Sequence, residues 1–312
     1  MTNRSFFLLS FVFLLLPCAF AQQVADLDYK PPIPHPAYVH DQGPRVVVDA
    51  GHHNFHTADG RYKPFAGLLR RDGYRVTSST ASFTTDSLNA ADVLVIANAL
   101  NAVNDDGNWS LPTPSAFTPQ EIIAVRKWVE NGGALFLIVD HMPFPGAAGD
   151  LARAFGVEFS NGFAFRGDEK GGGKISFTPH NGLRPGPWVE GRSPAEKIDS
   201  VVTFTGSAFY PGPNTQPVLV FTDGFVSLTP EVAWQFRPET PKVPIEGWCQ
   251  GAVLTRGKGH VAVFGEAAMF TAQLAGKQKT PMGMNSPDAK QNYQFLLNIM
   301  HWLTGAEAAP RS

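Results

Sequence analysis

The chain has 312 residues, 43% of them hydrophobic and 17% charged, which is enough apolar material for a large core. A formal net charge of -2 argues against a nucleic-acid binder, which normally carries a basic patch or stripe. The 30 glycines and 26 prolines predict long connections between regular elements.

Residues 1–21 read as a signal peptide. Arg4 gives a positive start, Phe6 to Leu16 an apolar stretch, and Ala19-Phe20-Ala21 a cleavage signal before Gln22. The apolar stretch is short for a spanning helix, and no later segment approaches that length. The expectation is therefore an exported chain, periplasmic or secreted, with no transmembrane segment after cleavage. Cleavage would remove Cys18 and leave Cys249 as the sole cysteine, so no intramolecular disulfide can form. Cys249 lies between Trp248 and Gln250 without a nucleophile-elbow pattern, and reads as a small buried residue rather than a reactive thiol.

Residues 22–44 carry Pro31, Pro32, Pro34, Pro36 and Pro44 and form a Pro-rich leader of extended character. A βα alternation follows. Val46–Val48 predicts a buried strand, Arg61–Asp72 a helix stopped by Gly73, Tyr74–Thr77 a second strand and Ala91–Ala97 a third. Thr118–Asn131 is the clearest helix, with Thr118 as N-cap, Pro119 in the first turn and Glu121 completing a capping box. Residues 134–139 form the next strand, and Asp150–Phe155 the next helix. From about 157 to 250 glycine and proline clusters break the pattern into a β-rich insert, with candidate strands at Val201–Phe204, Val218–Phe221 and Val232–Phe236. The cluster Gly171-Gly172-Gly173 lacks the ending of a phosphate loop. A hairpin over Gly251–Thr255 and His260–Phe264 and a helix over Ala289–Leu303 complete one domain spanning 45–305. Strands alternating with amphipathic helices predict an α/β fold: a mostly parallel sheet with helices on both faces.

Several segments carry a resemblance: Leu88 to Ala97, Phe117 to Glu121, Trp128 to Gly133, Gly257 to Glu266 and Asn292 to Leu303. Together they resemble an uncharacterised bacterial domain family of the class I glutamine amidotransferase-like superfamily, related to gliding-motility and transport-associated domains and to ThuA-like domains. The resemblance covers roughly residues 45–160 and 250–303 and implies a flavodoxin-like fold. Amidotransferases of that class carry a cysteine elbow after the strand that corresponds to 134–139, where this chain has Asp140-His141-Met142-Pro143. The resemblance therefore does not extend to glutamine amidotransfer.

Two polar clusters follow apolar strands. Asp49, His52, His53 and His56 lie just after Val46–Val48, and Asp140-His141 follows 134–139. Side chains at the carboxyl ends of parallel strands line the ligand crevice, so the clusters are expected to converge. Asp49, His52, His53 and His56 are candidate ligands for a divalent metal: zinc, manganese or iron. The alternative is that Asp49 caps its turn while the histidines satisfy buried backbone groups. Asp140, His141 and Glu266 are the candidate catalytic groups, as an acid–base set with or without metal. Asp140 capping the following helix is the plain alternative. Asn54, Asn98 and Arg192 are candidate ligand-binding residues, with a salt-bridged Arg192 as the competing reading. Two functions remain open: an exported hydrolase acting on a small or carbohydrate-derived ligand, and a non-catalytic binding module of the cell envelope.

Overall fold

A computed structural model describes residues 23–167 and 173–306. The expected signal peptide, and Gly171 and Gly172 of the glycine cluster, lie outside these residues. The main elements in chain order are β1 (Arg45–Asp49), α1 (Lys63–Arg71), β2 (Arg75–Ser79), β3 (Val93–Ala97), α2 (Pro119–Glu130), β4 (Ala134–Ile138), α3 (Phe144–Arg153), β5 (Glu158–Phe159), β6 (Phe163–Arg166), β7 (Phe209–Tyr210), β8 (Gln216–Val220), β9 (Phe225–Leu228), β10 (Lys242–Pro244), β11 (Cys249–Arg256), β12 (Gly259–Phe264) and α4 (Asn292–Thr304). Thr85–Leu88 and Pro187–Glu190 add single helical turns. The architecture is a mixed α/β sheet.

The sheet runs β2-β1-β3-β4-β12-β11-β7-β5, with β8 also paired to β11. The first five strands are mutually parallel. The hairpin of β11 and β12 switches the sheet to antiparallel pairing, which β7 and β5 continue. The central strands β3 and β4 are buried along their whole length, because both faces are covered and successive side chains point to opposite sides.

That alternation divides the core in two. Val93, Val95, Phe136 and Ile138 face α1 and α4, packing with Phe65, Leu69, Phe295 and Leu296. Leu94, Ile96, Leu135 and Leu137 face α2 and α3, packing with Val125, Val129, Leu151 and Ala152. Burial of each such side chain contributes about 1.5–3 kcal/mol, so the two layers fix where the strand ends emerge.

Several expectations are corrected in detail. The helix after β4 starts at Phe144, not Asp150, because Pro145 sits in the first turn, where a missing N–H costs nothing. Val232–Phe236 is not a strand: Val232 makes one isolated bridge to Ser110, and Trp234 takes a left-handed conformation with φ 66°. Val201–Thr203 belongs to a separate ribbon with Ile175–Phe177. The remaining insert supplies β5, β7 and β8 to the main sheet and builds a second sheet of β10, β9 and β6. The leader is laid on the body. Gln23–Ala25 pairs with Ala272–Ala275, and the Ala37 N–H donates to Asp72 Oδ1 at 2.8 Å. Among the described residues no helix is long and apolar enough to cross a membrane.

Candidate functional site

The two clusters do emerge along one edge of the sheet, at the carboxyl ends of β1, β3, β4 and β12, but they do different work. His52 is clamped between two carboxylates. Its Nδ1 lies 2.9 Å from Asp49 Oδ2 and its Nε2 3.1 Å from Glu121 Oε1. Burial alone would lower the imidazolium, yet the bonds and charges of Asp49 and Glu121 raise its pKa above the ordinary histidine value. Glu121 meanwhile accepts from the N–H groups of Phe83 and Thr118, closing the predicted capping box on α2. Asn54 donates to Asp49 Oδ2 and accepts from the His52 N–H, so it holds the loop.

His53 points elsewhere, with φ 46° and an exposed 2.6 Å contact to Asp105. His56 turns to Asn98. Asp49, His52, His53 and His56 therefore do not meet at one point. Among the described residues no three histidine, cysteine or acidic side chains gather in a metal-holding group. The expected four-residue metal set is corrected to a buried Asp49–His52–Glu121 clasp plus two histidines with other partners. Asn54 is likewise a loop-positioning residue. Arg192 forms the competing salt bridge, at 2.5 Å from Glu196, and donates to the His35 carbonyl under the leader.

A second constellation forms around Asn98, immediately after β3. Asn98 has φ 51°, a left-handed conformation that asparagine tolerates better than most residues. Its Oδ1 accepts from the Asp140 N–H at 2.8 Å, which orients its amide nitrogen toward His56 Nδ1 at 3.1 Å. That contact makes Nδ1 the acceptor and leaves the proton on His56 Nε2. Burial, then the charges of Arg61 and His141, push the His56 pKa down to about 3, so the ring is neutral. His56 Nε2 and Arg61 Nε are both buried without a hydrogen-bond partner. The Arg61 guanidinium lies over the Phe55 ring at 3.8 Å.

Asp140 is half-buried at the end of β4 and accepts from the His141 N–H at 2.8 Å. The His141 ring donates from Nδ1 to the Met142 carbonyl at 2.7 Å, which leaves Nε2 as the ring nitrogen available to other partners. Its ring stacks on Phe163 at 4.5 Å and meets the edges of Trp234 and Trp109. Glu266, 1% exposed after β12, accepts from the N–H groups of Ala268 and Met269. Burial, reinforced by the negative charge of Asp140, raises its pKa well above the carboxylate range despite those bonds. Of the expected catalytic and ligand-binding residues, Asp140, His141, Glu266 and Asn98 thus share the edge. The sequence reading missed Arg61, Phe55, Trp109, Phe163 and Trp234. Arg61 lies in the same loop as the histidines, and that proximity was the available signal.

No protein-family model matches the chain, and a comparison with curated proteins gives no match. Among solved structures, the mmIFT52 N-terminal domain is similar in fold, at TM-score 0.57 and 15% identity over 83% of this chain and 97% of that one. A ThuA-like protein from Bacteroides uniformis aligns at TM-score 0.48 and 11% identity, over 88% and 94% of the two chains. A GMP synthase-like protein from Thermoplasma acidophilum aligns at TM-score 0.42 and 11% identity, over 85% and 94%. At these identities the likeness is one of fold alone.

Proposed function

We propose that the chain is an exported hydrolase whose strand-end site acts on a small, sugar-derived substrate through acid–base chemistry. We read the order β2-β1-β3-β4-β12 as flavodoxin-like. In that arrangement ligands sit where the strand order reverses, here between β1 and β3, beside Asn98.

The observation that carries the reading is the carboxyl pair Asp140 and Glu266. Their environments differ: Asp140 is half-buried, whereas Glu266 is sealed in and its proton is held by burial and by the charge of Asp140. A half-buried carboxyl beside a sealed one whose pKa is raised divides the roles of base and positioning partner. In the proposed reaction Asp140 takes a proton from the attacking water, and the new bond forms from that water's oxygen to the electrophilic carbon. As that bond forms, the bond from the carbon to the departing group breaks, and the proton taken by Asp140 passes by way of His141 Nε2 to the departing atom. Glu266 acts through Asp140 as a positioning residue.

A panel of p-nitrophenyl glycosides and esters tests this. D140N should lower turnover by on the order of 100-fold, and E266Q should displace the acidic limb of the pH profile. Unchanged turnover in both D140N and H141Q would overturn the assignment. The export part is supported by Ala19-Phe20-Ala21, and a periplasmic form beginning at Gln22 in a bacterial host is its expected outcome.

A second reading, a binding module, is favoured by the aromatic wall of Phe163, Trp109 and Trp234 around His141. Absence of any turnover, with sugar binding retained, selects it.

A further inference from the structure

Two buried N–H donors beside this site have nothing to donate to, and both flank Phe55. His56 is 3% exposed, and its tautomer is fixed by Asn98, so Nε2 carries a proton. Arg61 contributes Nε–H, also buried and unpartnered, from a guanidinium lying on the Phe55 ring. A buried unsatisfied donor is destabilising, more so when it is charged, so two in one place are unusual for a fold to carry. The guanidinium carbon lies 3.8 Å over the Phe55 ring, and the planar donor fork of an arginine is suited to a carboxylate.

Charge narrows the class. Among the described residues no carboxylate forms an ion pair with Arg61. The His56 ring is neutral, so the donor pair offers one positive charge. Asp140, on the same edge of the sheet, repels a dianion more than a monoanion. A single carboxylate therefore suits the pair better than a phosphate does.

We propose that His56 Nε2 and Arg61 Nε form an anion subsite that takes the carboxylate of a small polyhydroxylated acid. This rests on the reading of the Asp140 edge as a site for a sugar-derived ligand and specifies the ligand as an acid rather than a neutral sugar. The subsite binds and orients the ligand and makes no bond to it.

Calorimetric titration of the full chain at pH 7 with D-glucuronate, D-gluconate, D-glucose and inorganic phosphate provides the test. At least one of the two sugar acids should bind about ten-fold or more tightly than glucose and phosphate. R61Q should erase that preference, and R61K should recover only part of it, because a lysine supplies charge without the planar fork. In a 15N-imidazole spectrum the bound acid should shift the His56 Nε2 resonance, a response that overall destabilisation of a variant cannot imitate. Binding of neither acid, equal affinity for glucose, tighter binding of phosphate, or an unaltered preference in R61Q would each overturn the subsite. The two readings separate cleanly: an acid that binds wild type and D140N alike, with no turnover in either, leaves the subsite standing while the hydrolase reading falls.

Discussion

His52 illustrates how a residue suggestive of metal binding can instead be held between two carboxylates. Its imidazolium sits between Asp49 and Glu121, and their bonds outweigh the burial that opposes charge. With the folded pKa raised, the clasp contributes its full stability below the unfolded histidine value, about 6.5, and loses it as pH rises through the folded value. H52Q should therefore be most destabilising near pH 6, by about 3 kcal/mol or more, because two buried carboxylates then face each other without a cation. Denaturant midpoints of wild type and H52Q should converge at alkaline pH; a constant gap would show that His52 is not charged in the fold. Asn98 offers a second check at the same scale. N98A loses the amide that orders Asp140 and His56 and also meets the left-handed backbone penalty of about 1–2 kcal/mol, whereas N98G avoids that penalty. Thermal melts should rank N98G above N98A, and the reverse order would mean that the backbone at this position is not under tension.

Elements with strong local signals were legible in the sequence. The apolar runs of β3 and β4 are buried on both faces, β1 buries Val46 and Val48 and leaves Val47 half-buried, and all three stop where polar turns begin, so periodicity and punctuation agree. The cap of α2 was readable to the residue, since Thr118 and Glu121 bond each other's backbone within one turn. T118A should cost about 1 kcal/mol while T118S stays close to wild type, a difference accessible by urea titration. If T118A is neutral, the cap is not what holds Glu121 against His52. The start of α3 was obscured because Phe144-Pro145-Gly146 carries loop-forming residues, although proline is at home in a first helical turn. Alternating hydrophobics at Val232–Phe236 imitated a strand. Their apolarity serves instead to place Trp234 and Phe236 against Phe163, beside His141. The site was legible only as a location. Arg61, Trp109, Phe163 and Trp234 come from distant segments, and no local pattern joins them.

Across the whole molecule, the Pro-rich leader is tied to the body by a buried pair that the sequence did not suggest. Asp72 Oδ1 accepts from the Ala37 N–H and Asp72 Oδ2 lies 2.8 Å from His301 Nε2, so the end of α1, the leader and α4 meet at one carboxylate. D72A should cost about 3 kcal/mol or more and should accelerate proteolysis within residues 30–44; D72N, which keeps an acceptor in place, should cost less. Equal losses in the two variants would show that the pair is not organised around that carboxylate. At the opposite level of detail, the fold brings Asp140 and Glu266 to the same edge from strands separated by more than a hundred residues, and the functional reading stands on their unequal burial and on the raised pKa of Glu266. Carbon-13 NMR titration of the side-chain carboxyls measures this directly in wild type and D140N. Glu266 should titrate above the ordinary carboxylate range in wild type and should ionise at lower pH once the negative charge of Asp140 is removed. A Glu266 that titrates within the ordinary carboxylate range, or one whose titration is unmoved by D140N, would contradict this reading.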